Sequence, residues 1–356
     1  MTPDDDDRAR KRDRIARLRA EADCEALLLT SHEAVSWYLD GVRTHVSLAG
    51  PPVLAVRAAD DGDTLFVADN EAERLIAEEL LPQDAERLVR VPWQIAPEAA
   101  ARAAGDSVGE SELAAGLRAA RASLLPAETA RYRSLAREVA EVLTEVAGTL
   151  SPVVGEREAA GRIAGEFVGR GIDPLVVLVA GADRLRLRHP LPTTGSLGSR
   201  AMLVVCGRRH GLIANATRWV GEAGADDERI LEVEAAYLAA TRPGARLDEA
   251  FAAGCAAYAK AGFDAAEWRR HHQGGPTGYA GRDPRANGET VDLIRPGQAF
   301  AWNPTAPAAK AEDTVLIGAA GVEVLTVDER WPSRSVAGLS RPLALPYRSG
   351  RGAALS

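Results

Sequence analysis

Lysine is nearly missing from this sequence: of its 43 basic residues only Lys11, Lys260 and Lys310 are lysines, the rest being arginine. With abundant alanine and glycine, that bias is what GC-rich codon usage produces, and it carries no mechanism. Cysteine is scarce too. Cys24, Cys206 and Cys255 are odd in number and far apart, which excludes a disulfide framework and a CxxC metal knuckle. No apolar run approaches the roughly 20 residues that a bilayer-spanning helix needs, so no membrane association is expected. A basic excess is also lacking. The net charge is −8, whereas a phosphate-backbone partner calls for a basic face, so no nucleic acid is expected and a small molecule or short peptide is the expected partner. The opening Met1-Thr2-Pro3, four Asp and the Arg8–Arg14 run have no apolar core of a secretory signal, and the cytoplasm is the expected location.

What is present fits a soluble two-domain protein. The 356 residues are 46% hydrophobic and 26% charged, enough chain for two apolar interiors. A charged helix is expected from about Asp6 to Glu21, then the strand Ala26–Thr30 and a helix running to Leu39. Pro52–Val56 and Thr64–Val67 read as a strand pair, followed by a helix at Glu71–Leu80 and a strand at Arg87–Val91. Ala101–Ser123 is Ala-rich and reads as helix, ending before Pro126, where a second domain begins. The expected domains are 1–124, a mixed α/β domain, and 125–356. The overall class is α+β.

In the second domain Leu135, Val139, Val142, Leu143, Val146 and Leu150 recur at helical spacing, and a second helix follows at Glu156–Arg170. Leu175–Ala180 and Ala201–Cys206 read as strands, the latter returning as a hairpin through Leu212–Val220. Helices at Glu228–Thr241 and Leu247–Ala261 precede strands at Ala299–Asn303, Asp313–Ile317 and Glu323–Val327. Helix pair plus hairpin therefore occurs twice, as in an internally duplicated α+β domain.

Several landmarks punctuate this order. Cys24-Glu25-Ala26-Leu27-Leu28-Leu29 and Tyr38-Leu39-Asp40-Gly41 stand in the first domain. His189-Pro190-Leu191-Pro192-Thr193, Asn215-Ala216-Thr217-Arg218, His271-His272-Gln273-Gly274-Gly275 and Lys310-Ala311-Glu312-Asp313-Thr314 stand in the second. Taken in order, they resemble the creatinase/aminopeptidase P (Xaa-Pro peptidase) family over nearly the whole chain. The resemblance implies a creatinase-type N-terminal domain, a pita-bread C-terminal domain and a homodimer.

In that family's metallopeptidases two Asp, one His and two Glu hold a pair of divalent ions that activate water. The resemblance puts those ligands at Cys206, Asn215, His272, Asn303 and Glu312. Hard cations need carboxylate charge, and three of these positions lack it, so a degenerate site with no metal and no cofactor is expected. Cys206 with His210 or His272 offers donors for one soft ion, or is a buried inert thiol.

Creatinase itself shows that the fold cleaves C–N bonds without metal, using a histidine as base and then acid. The resemblance accordingly implies His189 as the proton-transfer residue, with His272 and Glu312 positioning water or substrate. Arg282, in Gly281-Arg282-Asp283, corresponds to an arginine that clamps a carboxylate; Tyr279 falls where the peptidases carry a second His. Asn215 and Asn303 are candidate substrate contacts, and Arg43 and His45 lie on the loop that family dimers project into the partner's site. Three readings stay open: a metal-independent creatinase-like hydrolase or lyase acting on a small carboxylate-bearing C–N compound, an Xaa-Pro peptidase with an atypical site, and a catalytically silent binding protein.

Overall fold

The structure, a computed structural model, describes residues 5–348. The chain divides into two compact units: one holds residues up to Arg131 together with Arg209–Leu212 and Gly278–Asp283, and the other holds Tyr132–Arg208, Ile213–Thr277 and the chain from Pro284 onward.

The first unit opens with α1 (Asp5–Glu21), whose buried face is charged: Asp7, Arg8, Lys11, Ile15 and Arg19 are all covered. Such a stripe is tolerable only if every charge is paired. Arg8 reaches Asp63 at 2.6 Å and Asp84 at 3.0 Å. Lys11 Nζ lies 2.5 Å from Asp40 and 2.8 Å from Glu128, and Arg131 adds two bonds to Asp40, at 2.6 and 2.9 Å. The Tyr38–Gly41 landmark thus buries Asp40 as a counter-ion.

Behind α1 come β1 (Ala26–Leu29), α2 (His32–Tyr38), β2 (Leu54–Ala59), β3 (Thr64–Ala68), α3 (Asp69–Glu78), α4 (Pro82–Ala85), β4 (Leu88–Val91), α5 (Pro97–Ala103), β5 (Val108–Gly109) and α6 (Ala114–Ala122). The sheet runs β4-β3-β2-β1-β5. Its outer pairs, β3 with β4 and β1 with β5, are parallel and its inner ones antiparallel, so it is the expected mixed sheet. All four residues of β1 are buried, as a strand covered on both faces requires. The continuous helix expected over Ala101–Ser123 is broken: Gly105 takes φ +146, a conformation open to glycine, and the short β5 intervenes before α6. β2 starts at Leu54 rather than Pro52, since Pro51 and Pro52 have no N–H to give a ladder.

The second unit takes up α7 (Pro126–Ala147) from Tyr132, then α8 (Glu156–Gly169), β6 (Asp173–Ala180), β7 (Arg200–Arg209) and β8 (Leu212–Gly221). The expected face of α7 is buried at Leu135, Val139, Val142, Leu143 and Val146. A second round follows: α9 (Asp227–Ala240), α10 (Leu247–Lys260), β9 (Gly274–Thr277), β10 (Ala299–Trp302), β11 (Thr305–Ala306), β12 (Ala309–Lys310), β13 (Val315–Gly318) and β14 (Gly321–Val324), with the hairpin β15 (Ser333–Val336) and β16 (Leu339–Pro342) after it. The sheet β14-β13-β10-β9 is antiparallel at every pairing. Helix pair plus antiparallel sheet therefore recurs, as the sequence pattern implies.

Two predictions follow from this packing. α9 and α10 approach through Gly254, where an added Cβ would stand 2.2 Å from the Tyr237 ring. Gly254→Ala should destabilise the protein by about 1–3 kcal/mol in denaturant unfolding, because overpacking outweighs alanine's better helix propensity; a gain in stability would refute the close approach. The second concerns His210, at the β7–β8 turn with φ +51. Burial, reinforced by Arg131 and Arg209, pushes its imidazole down to about 4, below the unfolded value of about 6.5. Between those two pH values the unfolded chain binds the proton and the folded one does not, so stability is present above about pH 6.5 and is lost as pH falls toward 4. The denaturation midpoint should drop from pH 7 to pH 5, and drop less in His210→Asn, which tolerates the positive φ. An equal drop in both proteins would count against this assignment.

Candidate active site

β8 carries the site's floor. Alternate residues of a strand share a face, and Asn215, Thr217 and Trp219 all meet the extended segment 310–314. Thr217 Oγ1 donates to Glu312 Oε2 at 3.1 Å, Trp219 Nε1 donates to the Lys310 carbonyl at 2.9 Å, and Asn215 N donates to Thr314 Oγ1 at 2.7 Å. Lys310 and Glu312, two residues apart, likewise share a face and pair at 3.1 Å, both about 3% exposed at the side chain. Asn215 is fully buried and its Nδ2 donates to Thr277 Oγ1 at 3.1 Å.

His189 sits in the loop beyond β6. Its neighbour Arg188 pins that loop by donating to Thr305 Oγ1 at 3.0 Å and pairing with buried Glu267. On the other side, Gln273 is clamped from four directions. Its Oε1 accepts from Tyr258 at 2.7 Å and Tyr237 at 3.3 Å, and its Nε2 donates to the carbonyls of Trp268 at 2.9 Å and His271 at 2.7 Å. This clamp sets the His271-His272 pair. Next to it, a Cβ on Gly274 would stand 2.1 Å from the Ala301 carbonyl, and φ there is +92, so glycine lets β9 lie against β10.

Three imidazoles meet as a result. His271 Nε2 lies 2.9 Å from His189 Nε2, and the His272 ring stacks at 4.4 Å from His271 and 5.7 Å from His189. His189 is exposed at one edge and backed by protein on the other. Burial and the Lys310 charge lower its pKa while Glu312 opposes them. Burial pushes His271 further, down to about 2. Both rings are therefore neutral at physiological pH.

No protein-family model and no curated protein matches this chain, whereas solved structures do. The prolidase from Pyrococcus horikoshii OT3 superposes with TM-score 0.70 at 18% identity, covering 90% of this chain and 99% of that one. The dipeptidase PepE from Mycobacterium ulcerans gives 0.73 at 18% identity, covering 97% and 99%. The chain has the pita-bread fold. The N-terminal domain of the FACT complex subunit SPT16 from Cicer arietinum has it too, at TM-score 0.69 and 13% identity, covering 91% of this chain and 96% of that one.

The residues that the resemblance puts at the metal positions do not suit a pair of hard cations. Cys206, Asn215 and Asn303 carry no carboxylate, and Glu312 is already neutralised by Lys310 at 3.1 Å. Asn303, 2% exposed, keeps an Oδ1 with no hydrogen-bond donor among the described residues. Such an atom is costly to bury without a partner.

His189, His272 and Glu312 thus belong to one unit, with the two rings stacked and the Glu312 charge acting on His189, while Cys206 lies on β7 paired across from Val176. Arg43, His45, Tyr279 and Arg282 belong to the first unit. There Tyr279 is buried with its hydroxyl on Glu128 at 2.7 Å, Arg43 binds Glu79 through its backbone N–H at 3.0 Å and through its guanidinium, the His45 ring meets His32 edge-on at 6.3 Å, and Arg282 Nη1 donates to the Gly281 carbonyl at 2.5 Å. Sequence reasoning missed His271, Lys310, Thr217 and Gln273. The adjacent doublet His271-His272 was one signal, and a lysine kept among arginines was another.

Gln273→Leu should cost about 1–3 kcal/mol by removing the amide's buried hydrogen bonds to Tyr258, Trp268 and His271, and should free the His271 carbonyl. Thermal unfolding together with imidazole NMR shifts of His189 reads both effects; an unmoved His189 resonance would show that the clamp does not set the cluster.

Proposed function

We propose that the protein is a metal-independent, creatinase-like hydrolase or lyase acting on a small carboxylate-bearing C–N compound, with His189 transferring the proton. The observation that carries this reading is the contact of two neutral imidazoles, His189 and His271, beside the Lys310–Glu312 pair. A neutral imidazole takes a proton without metal assistance. In hydrolysis His189 removes a proton from water as the oxygen bonds to the electrophilic carbon; the C–N bond then breaks and the imidazolium returns the proton to the departing nitrogen. His272 and Glu312 position water and substrate, Asn215 and Asn303 contact substrate, and Asn303 Oδ1 accepts a substrate N–H. Lys310 supplies positive charge near the base, and Arg282 holds a carboxylate, as the resemblance implies.

The protein is further proposed to be a homodimer, completed by Arg43 and His45, and to work in the cytoplasm; among the described residues no helix is long and apolar enough to cross a membrane. A catalytically silent binding protein is the second reading, favoured by the lost carboxylates and by the likeness to the FACT subunit domain.

Screening small C–N carboxylates with chelator-treated protein tests the proposal. His189→Ala should lower kcat by about 10²–10⁴-fold, and Arg282→Ala should chiefly raise KM. Full activity in His189→Ala would sink the assignment, and no turnover of any compound would leave the binding reading. Restoring Cys206→Asp, Asn215→Asp and Asn303→Glu together should raise manganese uptake, checked by elemental analysis.

A further inference from the structure

The three imidazoles offer more than a base. His189, His271 and His272 each present a ring nitrogen, and these nitrogens all lie within 4.8 Å of one another. The donors are uncharged nitrogens alone, unlike the carboxylate-rich set implied by the peptidases. Imidazole suits Zn²⁺, Ni²⁺ and Cu²⁺, whereas Mn²⁺ and Mg²⁺ prefer oxygen. Three histidines with a fourth position open form a donor set that holds zinc.

The geometry is close to what such an ion needs. With Zn–N bonds of about 2.0–2.1 Å in a tetrahedral site, ligand nitrogens stand about 3.3 Å apart. His189 and His271 already stand 2.9 Å apart, so that pair needs to open by only a few tenths of an ångström, and the His272 nitrogen lies within 4.8 Å of both. The supporting backbone is anchored on both sides, by Arg188 on Glu267 and by the Gln273 clamp. The exposed edge of His189 gives an ion a way in, and the nearby Lys310 charge is offset by Glu312.

We infer that His189, His271 and His272 form a three-nitrogen site for one borderline divalent cation, zinc being the best suited. The site stands on its own geometry. Its consequence for catalysis rests on the proposed role of His189: a bound ion takes the lone pair that the proton transfer uses, so zinc inhibits the reaction.

The test uses chelator-treated full-length protein, titrated with Zn²⁺ against a chromophoric competitor and with Co²⁺ by visible absorption. One Zn²⁺ per chain, Co²⁺ bands of a four-coordinate ion and no tight Mn²⁺ uptake are expected. His271→Ala and His272→Ala should each lower zinc affinity by at least about 100-fold, beyond the 10–100-fold typical of losing an outer-shell partner. Substoichiometric zinc, tight Mn²⁺ uptake, or affinity unchanged in both variants would overturn the site. Because the titration needs no substrate, its failure leaves the His189 kinetics standing, and the loss of the proposed reaction leaves the zinc result standing.

Discussion

The site is organised around the buried ion pair of Lys310 and Glu312. Neither charge is tolerable there alone. A lysine ammonium is a compact charge with rotatable donors, and the planar guanidinium used nearly everywhere else in this sequence is not equivalent to it. Two of the three lysines, Lys11 and Lys310, are buried in ion pairs. Thr217 and Trp219 lock the Lys310–Glu312 pair onto β8, and the pair in turn sets the field at His189, where the ammonium and the carboxylate act in opposite directions.

The same strand segment is held from its other face. Asp313, next to Glu312, takes Arg218 at 2.9 Å and Arg341 at 2.8 Å, and Arg341 also bonds Glu234 at 2.5 and 2.8 Å. Extended backbone sends Glu312 and Asp313 to opposite sides, so two charge networks grip a few residues. Paired networks of this kind contribute little net stability over apolar packing, yet they penalise any shift of register that would strand a charge. The acidic and basic stripe of α1 works by the same rule in the first unit.

Periodicity made most elements legible: the apolar stripe of α7, the run Ala26–Leu29 and the hairpin into β8 are local patterns, and their burial follows. The landmarks pointed to His189, His272, Arg282 and Glu312, of which the rings of His189 and His272 stack at 5.7 Å. What stayed hidden was long-range. His271 meets His189 across 82 residues of chain, on segments that the Arg188 and Gln273 hydrogen bonds hold in place. Asp40 reads as part of a loop motif until Lys11 and Arg131 close on it. The bond from the Tyr279 hydroxyl to Glu128, 151 residues away, is equally invisible in the local sequence. The break at Gly105 was hidden because an Ala-rich stretch carries helix propensity without specifying where tertiary contacts interrupt it.

The most direct test is a double-mutant cycle on Lys310 and Glu312, read by denaturant unfolding. Lys310→Met and Glu312→Leu should each cost about 3–5 kcal/mol by leaving the partner charge buried and unpaired. The double variant should cost less than the sum by at least about 1 kcal/mol. Additive costs, or a negligible loss in either single variant, would contradict the account that this pair organises the site.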